Sequence, residues 1–146
     1  MISNTCKYAI RAVTYLAMNE VGDKKIGIKD ISKDLEIPSP FLGKILQVLA
    51  KQKMLKSTKG PHGGFSLARN SEEISLLDIV EIIDGLDFFH ECLIGINVCE
   101  RAPEQREICP FHSVADPLKA DLYKMYSTTK IGKLAKEFNQ NGIFLI

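Results

Sequence analysis

Apolar residues recur along the first third of the chain with the period of an α-helix. Between Asn4 and Asn19, Ala9, Ile10, Ala12, Val13, Leu16 and Ala17 share helical spacing, and the pattern stops before Gly22. After a polar turn, GDKK at 22–25, Ile28, Ile31 and Leu35 mark a short second helix. Pro38 and Pro40 bracket Ser39. This predicts a third helix over 40–52, capped by Ser39 with Pro40 at its first position, burying Leu42, Ile45, Leu46 and Leu49. Two short helices joined by a tight polar turn are a helix-turn-helix pattern.

The pattern then changes. In residues 54–69, Leu55, Phe65 and Leu67 flank Gly60, Gly63 and Gly64, which predicts a β-hairpin. A hairpin directly after a helix-turn-helix makes a winged helix. Ser75 caps a fourth helix with Leu76, Ile79, Val80, Ile82 and Ile83 as its apolar positions, ended by Gly85. From Leu86 to Pro110 periodicity fails, and so long an irregular stretch in a compact domain is usually functional or disordered. A helix over 113–126 follows, with Pro117 in or near its first turn and a stripe of Val114, Leu118, Leu122 and Met125. That stripe suits a dimer seam or core packing equally. Thr128 or Thr129 caps a last short helix through Phe138.

The expected fold is therefore mainly α with a small β-hairpin wing. It divides into a winged helix-turn-helix at 1–85, a cysteine-bearing loop at 86–112 and a C-terminal dimerisation helix and tail at 113–146. An apolar content of 45% and a charged content of 25% suit such a globular chain and argue against disorder. The net charge of +1 conceals a strong asymmetry. Residues 1–69 hold 12 Lys/Arg against 5 Asp/Glu, whereas residues 70–146 hold 7 against 13. A basic half suits phosphates, although charge segregation on solvated surface is the plainer explanation. With neither a signal peptide nor a membrane span in the pattern, a cytoplasmic protein is expected.

A recognition helix presents its first side chains to the major groove, and a wing reaches phosphates or the minor groove. Ser39, Phe41 and Lys44 lie at the start of the third helix, Lys59 and His62 lie at the wing, and Gly63 and Gly64 would let the backbone approach double-stranded DNA. The lysines also read as solvated surface, and His62 as an ordinary loop histidine. Catalysis finds little support, because the chain has no C-x-x-C, no G-x-S-x-G elbow and no phosphate-binding glycine loop opening a helix.

Three of the four cysteines, Cys92, Cys99 and Cys109, fall in one 18-residue window, and His112 follows closely. In a reducing compartment such a cluster is more often metal-binding or redox-active than disulfide-bonded. Thiolates with an imidazole suit zinc, copper(I) or an iron–sulfur cluster. Structural zinc usually takes closer cysteine pairs. A metal-free thiol switch needs only two cysteines within disulfide reach, and free cysteine also packs as a small hydrophobe.

The phrase KYAIRAVTYLA at 7–17, the helix-turn-helix at 28–53, the wing phrase KGPHGGFSLAR at 59–69 and the cysteine loop before a long helix together resemble the Rrf family of winged-helix transcription regulators, the IscR/NsrR/CymR-like group. The resemblance spans nearly the whole chain. It implies a homodimeric repressor, paired through its long C-terminal helices on a pseudo-palindromic operator. It also implies a [2Fe–2S] cluster on Cys92, Cys99 and Cys109, reporting iron–sulfur supply, nitric oxide or oxidants. In the family the fourth ligand is a histidine soon after the third cysteine or an acidic residue of the partner's first helix. Lys7 stands at the latter position here, which favours His112 and leaves Cys6 and His90 as alternatives. Relatives carry base-reading polar residues where this chain has Pro38, Pro40 and Gly43, so a different operator is implied.

Overall fold

The computed structural model describes residues 2–95, 104–105 and 109–142. Helix α1 (Asn4–Met18) is capped by Ser3, whose Oγ accepts from the Cys6 N–H, and it buries Ala9, Ala12, Val13 and Leu16. Helix α2 (Ile28–Leu35) turns Ile31 and Leu35 inward and ends at Glu36, a left-handed residue with φ 54°. The turn into α3 (Ser39–Lys51) is locked at Ser32, whose Oγ donates to the Ile37 carbonyl at 2.6 Å and whose carbonyl accepts from the Ile37 N–H. This pair is the expected helix-turn-helix.

Ser39 is not the cap of α3. The cap is Pro38, whose carbonyl takes the first helical bonds from the N–H groups of Phe41 and Leu42, so the helix begins one residue earlier with Ser39 inside it. Pro40 is tolerated in the first turn because its missing N–H would have had no helical acceptor there.

Strands β1 (Leu55–Thr58) and β2 (Gly64–Leu67) pair antiparallel, Leu55 opposite Leu67 and Thr58 opposite Gly64. The hairpin is tied to the helices by Ile26, which exchanges two 2.9 Å backbone bonds with Phe65. Helix α4 (Leu76–Ile83) opens with a complete capping box between Ser75 and Asp78. The segment expected to be loop contains a short helix, α5 (Asp87–His90).

Helix α6 (Pro110–Thr128) starts before the expected residue 113, which places Pro117 inside the helix rather than near its first turn. Thr128 and Thr129 do not cap helix α7 (Ile131–Asn141), whose cap residue is Lys130. Their hydroxyls turn back to the carbonyls of Lys124 and Met125, and the backbone at 129–131 pairs with 74–76 instead. Helix α7 packs on α1.

Two cores result. The larger joins α1, α2, α3 and the wing around Val13, Ile31, Leu42, Leu46 and Met54, and Ile131 closes it from the far end of the chain. The smaller gathers Cys6, Leu77, Val80 and Phe89, with Leu122 and Tyr126 of α6 against it. Among the described residues no helix is long and apolar enough to cross a membrane.

Candidate nucleic-acid interface and cysteine site

One face of α3 is left uncovered, as the helical period requires once Leu42, Ile45, Leu46 and Leu49 are buried. Phe41, Lys44, Gln47, Val48 and Lys51 are exposed on it, while Ser39 is half-buried. No acidic residue interrupts this helix. The Phe41 ring meets Tyr8 of α1 edge to face at 5.6 Å, which fixes the start of α3 against α1. Lys59 and His62 are exposed at the wing tip. Between α2, α3 and the wing runs an open groove of about 690 Å³, whose walls include Lys29, Gly43, Gln47, Thr58 and Lys59.

The two wing glycines have a reason internal to the fold. A Cβ on Gly63 would stand 2.2 Å from the Thr58 carbonyl oxygen, and one on Gly64 would stand 2.3 Å from that of Ile26. These positions are glycine because backbone passes against backbone there. Gly43 is close to α2 but not against backbone, since a Cβ there would come within 3.1 Å of Ile28 Cδ1, the movable end of that side chain. Sequence reasoning missed Lys25, whose Nζ donates to Thr58 Oγ1 and ties the wing to the turn before α2. It also missed Ile26, an apolar residue stranded in a polar turn and the one local signal of that bridge.

At the other end of the molecule Cys109 is the cap residue of α6, and His112 lies in the first turn. His112 is only 8% exposed, and its Nδ1 is buried without a hydrogen-bond partner among the described residues. The Cys109 thiol is lowered to about 7, first by the His112 imidazole and then by the backbone N–H groups of His112 and Phe111. A thiol shifted toward its thiolate near an unpartnered imidazole nitrogen offers a sulfur and a nitrogen donor of the kinds that bind zinc, copper or iron. Cys92 is half-buried, and its carbonyl accepts from the Gly95 N–H. Cys99 lies outside the described residues, and among those described no group of three His, Cys, Asp or Glu stands close enough to hold a metal ion.

Lys119 is also only 8% exposed. It pairs with Asp116 at 3.0 Å and donates to the Glu91 carbonyl at 3.2 Å, so α6 holds the chain directly before Cys92. A pocket of about 440 Å³ between α5 and α6 is walled by Phe89, His90, His112, Lys119 and Tyr123. His90 is exposed at its edge. Cys6, the other ligand alternative, is fully buried in the smaller core. Burial, then the nearby Asp84 charge, pushes its thiol up to about 12, the opposite of what a metal ligand requires.

Residues 2–137 match the Rrf2 family model, described as iron-dependent transcriptional regulators. A protein of Aquifex aeolicus described as an HTH-type transcriptional regulator is 33% identical over 134 residues, covering 92% of this chain and 90% of that protein. Among solved structures, CymR of B. subtilis, the global cysteine regulator, superposes with a TM-score of 0.75 at 20% identity, over 94% of this chain and 97% of that one. The T. potens IscR structure gives 0.72 at 20% identity, over 97% and 90%. Identities this low show the shared winged-helix fold. The family is one of regulators and not of enzymes. With a helix-turn-helix, a wing and a family match running almost end to end, the chain belongs to the Rrf2 family of DNA-binding transcriptional regulators.

Proposed function

We propose that this protein is a homodimeric, cytoplasmic repressor whose operator affinity is set by an iron–sulfur cluster held in the loop before α6. The observation that carries the sensor reading is the placement of Cys109 and of His112, whose buried Nδ1 has no partner among the described residues, at the start of that helix. Cys92, Cys99, Cys109 and His112 would hold a [2Fe–2S] cluster, and the donor set fits one. When bound, such a centre supplies iron and sulfide that oxidants and nitric oxide attack and that track iron–sulfur supply.

The chain's own residues supply the rest. Lys119 keeps the residue before Cys92 against α6, and Cys109 caps the same helix, so two of the candidate ligands are tied to α6. The smaller core then connects α6 through Leu122 and Tyr126 to Cys6 of α1, and Tyr8 of α1 holds Phe41 at the start of α3. A change in the loop thereby reaches the DNA-facing helix through packed side chains, with a coupling of about 1–3 kcal/mol. For the operator we assign Ser39, Phe41 and Lys44 to the groove, and Lys59, His62, Gly63 and Gly64 to the wing contact. Dimerisation is assigned to α6, where Val114, Leu118 and Met125 are 63%, 64% and 50% exposed.

The test is anaerobic purification with iron, sulfide and zinc analysis, a visible spectrum and operator titration, on the natural chain and on Cys99→Ala. Iron with matching sulfide, lost in the variant while the dimer persists, supports the reading. Tightly held zinc makes the loop structural. No metal at all leaves a thiol or small-molecule switch as the regulator.

A further inference from the structure

Gly43 leaves α3 without a side chain one turn before Gln47. It is half-buried toward Ile28 of α2 and lines the open groove between α2, α3 and the wing. Helical side chains lean toward the N-terminus and cover the turn before their own Cα. The residue that leans over position 43 is the one four further on, Gln47. It is exposed, and it shares the groove between α3 and the wing with Gly43, Thr58 and Lys59.

Gln47 is the only amide side chain within α3, on a face otherwise offering Phe41, Lys44, Val48 and Lys51. Lysines there serve phosphates or guanine, and Phe41 offers an apolar contact only. An amide carries a donor and an acceptor side by side. In the major groove adenine alone presents the matching adjacent acceptor and donor, N7 and N6–H₂. We propose that Gln47, one turn beyond Gly43 on the wall of this groove, is a specificity-determining residue that reads an adenine in each operator half-site. This rests on the reading that α3 enters the major groove.

The experiment is selection from randomised duplex DNA with the full chain, alongside Gln47→Ala and Gln47→Glu, with titration of the selected sites. The natural protein is expected to return a fixed adenine at one position of each half-site. Q47A should keep the rest of the site, lose preference at that position alone and bind the natural site about 5- to 150-fold more weakly, with an unchanged salt slope. Q47E should exchange that adenine for cytosine, because a carboxylate accepts from cytosine N4. Both substitutions are at an exposed position, and circular dichroism is the check that the variants are folded. If both variants select the same site as the natural chain, Gln47 reads nothing and the proposal falls. If the natural chain itself selects no site, the operator reading falls instead.

Discussion

Two cysteines of this chain differ in pKa by several units because of where the fold puts them. Cys109 heads α6 beside an imidazole and is lowered to about 7, whereas Cys6 lies in the apolar smaller core and is raised to about 12. For Cys6 the sign is definite. Its folded value lies above the ordinary 9.0, so the stability it contributes is fully present below pH 9.0 and is lost as pH rises toward 12. We expect native Cys6 to resist alkylation until the chain unfolds. We also expect urea midpoints compared at neutral pH and at about pH 10 to fall less for Cys6→Ala than for the natural chain. An equal fall in both would remove Cys6 as the cause. Nothing in the sequence separated Cys6 from the loop cysteines except its place on an amphipathic helix. Burial and the approach of Asp84, 78 positions away, are tertiary facts.

At the scale of elements, the helices were legible and their ends were not. The apolar period located α1 to α4 because each needs only one buried face. Ser75 was a sound cap because its capping box is completed three residues later. Ser39 and the two threonines failed as caps because longer-range backbone pairing or a neighbouring proline carbonyl had already taken the role. The wing shows the same division. Its strands follow from β-pattern and glycines, but the bond pair from Ile26 that anchors it does not. Gly64 sits at φ 151°, and its added Cβ would meet the Ile26 backbone. Gly64→Ala should therefore destabilise the protein by about 1–3 kcal/mol and release protection of the Ile26 and Phe65 amides in hydrogen exchange. Full protection in the variant would show that the wing does not depend on that close approach.

At the scale of the whole molecule, α6 has two different faces. His112, Ala115 and Lys119 are buried, while Val114 and Leu118 point to solvent. The sequence stripe admitted core or dimer seam, and the fold places most of it outside the monomer's cores. Leu118→Asp should leave the monomer folded, since the side chain is 64% exposed, and should shift sedimentation from dimer to monomer. Operator affinity should fall at least about tenfold as half-sites are bound singly. A variant that still sediments as a dimer would place the seam elsewhere.

Local pattern alone determined the helix-turn-helix, the hairpin, the uncovered face of the third helix and the grouping of thiols and an imidazole in one stretch of sequence, because periodicity, turn chemistry and ligand type are properties of neighbouring residues. Only the tertiary structure decided that Ile131 closes the first core, that Cys6 is fully buried, that Gly63 and Gly64 of the wing lie against backbone and that His112 is buried near Cys109. Most of these depend on segments distant in sequence meeting at van der Waals range, and the His112 burial depends on how α6 packs, which no periodicity encodes.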